Sequence, residues 1–157
     1  MTATGPARLV GRAKNLALMG MLVAATTIAT TLLKVDIPTY RIYFNAGEAV
    51  IYVAALVLGR WHGAVAGAVG ASLADVLTGY AFWAPFTFVI KGIEGFVTGT
   101  LAARSAASGG LGFGVGIAAG GALMIAGYAL SVLIIYGPAA VLPEIGIDVA
   151  QVAVGAV

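Results

Sequence analysis

The 26 residues from Leu111 to Tyr136 carry no charged side chain. The stretch from Asn15 to Leu33 is likewise free of Asp, Glu, Lys and Arg. An apolar α-helix crosses the hydrocarbon core of a bilayer in about 20 residues. Runs this long place the chain among α-helical membrane proteins. Composition agrees, because charged residues make up 9% of the chain, against about 25% in a soluble domain. Eight Lys plus Arg and six Asp plus Glu are too few to clothe a soluble fold of this size. The net charge of +2 comes from scattered basic residues, so there is no clustered footprint for nucleic acid. Without cysteine, neither disulfides nor thiolate metal sites can form.

Six spans are predicted within a single integral membrane domain, 1–157. They run roughly Asn15–Leu33, Asn45–Leu58, Ala64–Leu77, Pro85–Ala103, Leu111–Tyr136 and Glu144–Val157. The first follows Arg8, Arg12 and Lys14 as a signal peptide would, but it is too long for a signal core and is read as a retained helix. Loops are expected around Asp36, Pro38 and Arg41, and from Gly79 to Pro85. A tight turn is expected at Gly59–Gly63 and a polar linker at Arg104–Gly110. Gly137, Pro138 and Pro143 break the chain before the last span. That segment is expected to be too short to cross, as a truncated or partial helix. Arg8, Arg12, Lys14, Arg60 and Arg104 fall on the N-terminal side, against Lys34 and Arg41 opposite. The positive-inside rule then puts the N-terminus in the cytoplasm of a multi-pass cell-membrane protein.

Small residues recur four apart: Gly63, Gly67 and Ala71; Gly95 and Gly99; Gly112, Gly116 and Gly120. Such rows let helix backbones approach closely. The first span carries Gly20 with Ala24, and Ala25 with Ala29. These two rows are available either for internal packing or for a partner protein.

Charges inside the spans carry the functional signal, because each is costly in hydrocarbon. They are Glu48, Asp75, Lys91, Glu94 and Asp148. All but Glu94 fall in the outer half of the membrane, on four different helices, as in a cavity that opens outward. Lys91 and Glu94 are three apart and share a helix face, so they are expected to pair. Trp83 and Phe82, with Tyr40 and Tyr43, lie at the outer level. There they serve as interfacial anchors or as flat walls for a ring. His62 has no second His or Cys to complete a metal site. Phosphate-loop, nucleophile-elbow and metal-binding helix motifs are lacking. No enzyme activity and no cofactor is expected, and energy for transport would come from a partner or an ion gradient.

Certain blocks extend this reading. Asn45-Ala46-Gly47-Glu48 opens the second span, followed by Ala74-Asp75, Ala84-Pro85-Phe86-Thr87 and Lys91-Gly92-Ile93-Glu94-Gly95. Gly127-Tyr128 and Pro143-Glu144 with Asp148, Gln151 and Gly155 follow. This order resembles the substrate-binding S components of energy-coupling factor (ECF) transporters. It looks closest to the branch for riboflavin, hydroxymethylpyrimidine (a thiamine precursor) or pyridoxine. The resemblance implies an all-α, six-helix bundle that binds a vitamin from outside. The implied substrate-binding residues are Asn45, Glu48, Asp75, Trp83, Lys91, Glu94, Tyr128, Asp148 and Gln151, with Asp148 standing where the resemblance would put asparagine. The implied partners are a transmembrane coupling subunit, met through Gly20, Ala24, Ala25 and Ala29, and two cytoplasmic ATPases. The residues also admit a self-sufficient ion-coupled carrier and a ligand-free assembly factor. Three outer carboxylates against one lysine favour a neutral or cationic ring bearing N–H or O–H donors.

Overall fold

A computed structural model of the protein describes residues 5–37, 42–107 and 112–157. Among the described residues, six helical segments run back and forth. The first, α1, is Gly5–Leu32. A two-stranded antiparallel hairpin follows, β1 (Lys34–Ile37) and β2 (Ile42–Asn45). Next come α2 (Gly47–Leu58) and α3 (60–77), then α4 (Ala84–Ala107) and α5 (Gly112–Tyr136). A 3₁₀ turn at Pro138–Ala140 leads into α6 (Val141–Gly155). The fold is the expected all-α membrane bundle.

Boundaries differ from the sequence expectation in four places. The loop after α1 is a hairpin, with Lys34 opposite Asn45 and Asp36 opposite Tyr43; the expected Pro38, Tyr40 and Arg41 lie outside the described residues. The turn at Gly59–Gly63 shrinks to Gly59 alone. Its φ of 99° suits glycine, and its carbonyl accepts from the backbone N–H groups of His62 and Gly63, so α3 starts at once. Arg104 belongs to α4 rather than to a linker, whereas 108–110 lie outside the described residues. The last segment starts at Pro138 instead of Glu144 and runs to Gly155. At 18 residues it is long and apolar enough to cross a membrane, which corrects the expectation of a partial crossing.

The other long apolar helices are Leu9–Leu32, Ala84–Ala107 and Gly112–Tyr136. Their outward faces present large apolar residues such as Leu16, Ile28, Phe88, Leu130 and Ile134. Water would not tolerate so much apolar surface; lipid does. The two shorter segments each contain a π-helical stretch, Ala54–Leu58 in α2 and Ala66–Ala71 in α3. Wider turns of this kind relocate side chains within a helix and often occur at functional sites.

The glycine rows pack inside the bundle. A Cβ added to Gly112 would lie 2.5 Å from the Ala102 carbonyl, and one on Gly116 would lie 2.5 Å from that of Thr98. The row on α3 meets α4 in the same way, since Gly63 and Gly67 sit against the backbone at Gly95 and Lys91. On α1, Thr27 donates to the carbonyl of Gly70 on α3 at 2.9 Å. Thr26, Thr27 and Thr30 form the buried face of α1. Gly20, Ala24 and Ala25 are exposed, and Ala29 is half-buried. A Cβ on Gly20 would meet nothing within 4 Å, so that row is not packed within the chain.

Alternating helix direction brings the N-terminal ends of α2, α4 and α6 to the hairpin end of the bundle, with the C-terminal ends of α1, α3 and α5. Ile42, Trp83, Val132 and Ala140 form a small core there, backed by Tyr80, Tyr128 and Ile135.

Candidate substrate-binding site

The cavity at the hairpin end encloses about 40 Å³, well below the roughly 300–1,000 Å³ usual for small-molecule sites, so its walls stand close together. Each wall comes from a different element. The hairpin supplies Ile42, Tyr43 and Asn45, α3 supplies Asp75, and α6 supplies Glu144, Asp148 and Gln151. Trp83, from the turn before α4, joins Thr87 and Lys91 from α4 and Tyr128 from α5.

Lys91 is the hub. Its ammonium donates to Glu48 Oε1 and pairs with Glu94 Oε2 at 3.2 Å. The expected Lys91–Glu94 pair is therefore present, but it is one arm of a triad that α2 completes. Glu94 Oε1 also accepts from the Tyr52 hydroxyl at 2.9 Å. Glu48, Tyr52 and Glu94 are at most 1% exposed. The two glutamates stand behind Lys91, under the floor of the cavity, while Lys91 itself reaches the wall. Buried charges are tolerated when paired and hydrogen-bonded, and α2 and α4 share the task here. The Lys91 ammonium also lies 5.5 Å from the centre of the Tyr128 ring.

A second network ties the hairpin to α6. The Asn45 side-chain and backbone N–H groups both donate to Gln151 Oε1, the backbone one at 2.8 Å. Gln151 Nε2 donates to Asp148 Oδ1 at 3.2 Å. Asn45 Oδ1 in turn accepts from the Gly47 N–H at 2.8 Å, an Asx turn that leads into α2. The Tyr43 hydroxyl donates to Asp75 Oδ1. Burial, followed by the nearby Asp75 charge, raises the pKa of Tyr43 above that of an ordinary tyrosine and keeps it a donor. The Tyr128 hydroxyl donates to Thr87 Oγ1 at 3.1 Å.

At the mouth, Lys34 sits 4.5 Å from the Tyr43 ring centre and 3.8 Å from that of Tyr80. It pairs with Asp36 at 2.8 Å, and Asp36 accepts from the Tyr80 hydroxyl at 2.8 Å. The bond to Lys34 is the main cause that holds the Asp36 carboxyl below its ordinary value. The hairpin is thereby fastened to the turn between α3 and α4.

A family model described as ECF-type riboflavin transporter, S component, matches residues 11–157. The chain belongs to this S-component family. A relative from Pyrococcus woesei, described as an uncharacterized protein in gap 3′ region, is 37% identical over 131 residues, covering 83% of this chain and 86% of the relative. The S-component family makes this a multi-pass membrane subunit of a vitamin transporter rather than a member of an enzyme family. Of the residues singled out from sequence, Asn45, Asp75, Trp83, Lys91, Tyr128, Asp148 and Gln151 line the S component's cavity. Sequence reasoning did not select Glu144, Thr87 or Thr30 as wall residues. The signal for Glu144 was present, because it precedes Asp148 by four residues and so shares its helix face. Thr87 stands in the Ala84-Pro85-Phe86-Thr87 block without having been singled out, whereas Thr30 has no such signal, as threonine is common in membrane helices.

Proposed function

We propose that this chain is the high-affinity binding subunit for uptake of a neutral or cationic, ring-bearing B-type vitamin or precursor. Hydroxymethylpyrimidine or pyridoxine is the favoured ligand. The observation that carries this is the charge balance at the hairpin end. Asp75, Glu144 and Asp148 line the cavity, and Lys91, the one lysine among its described wall residues, already pairs with the buried Glu48 and Glu94. A strongly anionic ligand would meet repulsion, whereas N–H and O–H donors would meet acceptors. Trp83 and Tyr128 supply flat apolar walls for a ring.

Riboflavin is the second reading, favoured by the description of the matching family. It is neutral and also offers ring N–H and chain O–H donors. In this proposal the cavity faces outward and the N-terminus is cytoplasmic, with Arg12, Lys14, Arg60 and Arg104 at the inner end. A transmembrane coupling subunit docks on the exposed Gly20, Ala24 and Ala25 face of α1, and two cytoplasmic ATPases provide the energy. The buried charges gather at one end of the bundle, which disfavours a self-sufficient ion-coupled carrier.

Isothermal titration of the purified chain with hydroxymethylpyrimidine, pyridoxine and riboflavin tests the reading. Submicromolar binding of one of them is expected. Binding of none, by a folded protein, would refute it.

A further inference from the structure

The Lys91 triad and the Asn45–Gln151 network leave part of the cavity wall unassigned. Glu144 and Asp148 sit one turn apart on α6. They are 6% and 2% exposed, and both line the cavity. Glu144 Oε2 and Asp148 Oδ2 are buried without a hydrogen-bond partner. Among the described residues, no lysine, arginine or histidine lies within 4.0 Å of either carboxyl group, and Lys91 is committed to Glu48 and Glu94. The indole N–H of Trp83 lines the same cavity and also lacks a partner. A buried polar atom left unpaired costs about 1–3 kcal/mol. Two adjacent unpaired acceptors and a donor, all at one cavity, are what a site keeps open for a ligand. Asp148 Oδ1 accepts from Gln151 at 3.2 Å, but Asp148 Oδ2, Glu144 Oε2 and the Trp83 N–H find no hydrogen-bond partner among the described residues.

We propose that Glu144 and Asp148 form an amine subsite, which takes a protonated amino group or an exocyclic amino N–H of the ligand, with the Trp83 N–H donating to an acceptor on the same ring. This rests on the vitamin-binding reading above and narrows it to amino-substituted rings. An ammonium offers three donors in a compact group, enough to reach both carboxyl groups. A hydroxyl in the same place offers one donor and leaves the second acceptor unpaired. Discrimination follows from that deficit, because a site built around hydrogen bonds rejects an analogue that cannot complete them.

Pyridoxamine and pyridoxine differ only in an aminomethyl against a hydroxymethyl group, which makes them the probes. Their dissociation constants are measured by titration on the full chain in nanodiscs. The wild type is expected to prefer the amine by roughly tenfold or more, as for a charge-assisted bond over a neutral one. Glu144→Gln should bring that ratio close to one by weakening pyridoxamine more than pyridoxine, and Asp148→Asn should reduce it in the same direction. Asp148→Asn also carries the test if Glu144→Gln does not fold. Equal weakening of both ligands, or a ratio unchanged in the variants, assigns the two carboxyls to structure and overturns the subsite. Binding of riboflavin but of neither probe overturns the subsite and leaves the vitamin-binding reading in place. Binding of no vitamin overturns both.

Discussion

Replacing Lys91 with methionine removes the one cation that serves two buried carboxyl groups while keeping most of the apolar stem. The ammonium contacts both Glu48 and Glu94. Glu94 retains the Tyr52 hydroxyl at 2.9 Å, so the heavier loss falls on Glu48. Breaking a buried ion pair by removing one partner typically costs about 3–5 kcal/mol, and the retained Tyr52 bond argues for the lower part of that range. The sign reverses when the stranded charge is removed too. Glu48→Gln in the Lys91→Met background should recover a large share, since a neutral amide needs no counter-charge. The assay is a double-mutant cycle on equilibrium unfolding in mixed detergent micelles, with Lys91→Met, Glu48→Gln and the double variant. Partners in direct contact give coupling energies of about 0.5–3 kcal/mol, whereas independent sites add to within about 0.5 kcal/mol. Simple additivity would refute the argument that the pair holds α2 against α4. Vitamin titration on the same variants reads the other role: Lys91→Met should weaken binding by at least about 1–3 kcal/mol, through the lost donor and the unpaired acid.

Two further perturbations test the helix surfaces. Gly116→Val puts a branched side chain where even a Cβ would approach the Thr98 carbonyl to 2.5 Å, so it should separate α4 from α5 and lower the unfolding midpoint, whereas Gly20→Val, with nothing within 4 Å of the added Cβ, should leave the midpoint unchanged; equal effects would contradict the packing described. Ala25→Trp should spare vitamin affinity but abolish assembly with the coupling subunit and uptake, while Ala29→Trp, at a half-buried position, should also lower stability; normal uptake by both would exclude this face of α1 as the docking surface.

Uncharged runs of 19 and 26 residues determined by themselves that this chain spans a membrane, because backbone polar groups in hydrocarbon must be satisfied within each segment. Glycines four apart likewise announced close helix packing, and the scarcity of intramembrane charge made each charged residue a site candidate. What the sequence could not fix is how those residues divide the work. Spacing along α4 revealed the Lys91–Glu94 pair, since a helix repeat is local. It could not reveal that Glu48, 43 residues earlier, completes the triad from behind, or that Asn45 reaches Gln151 across 106 residues. Those contacts depend on which helices are neighbours and how they are rotated. The rotation is set by packing of small residues, with the π-helical turns of α2 and α3 shifting side chains off the regular period. The hairpin was hidden for a related reason: its few residues are held by pairing with one another and by the Tyr80 turn, not by local propensity. Tertiary structure alone decided that Glu144 faces the cavity beside Asp148, because a helix face is known from sequence but what lies opposite it is not.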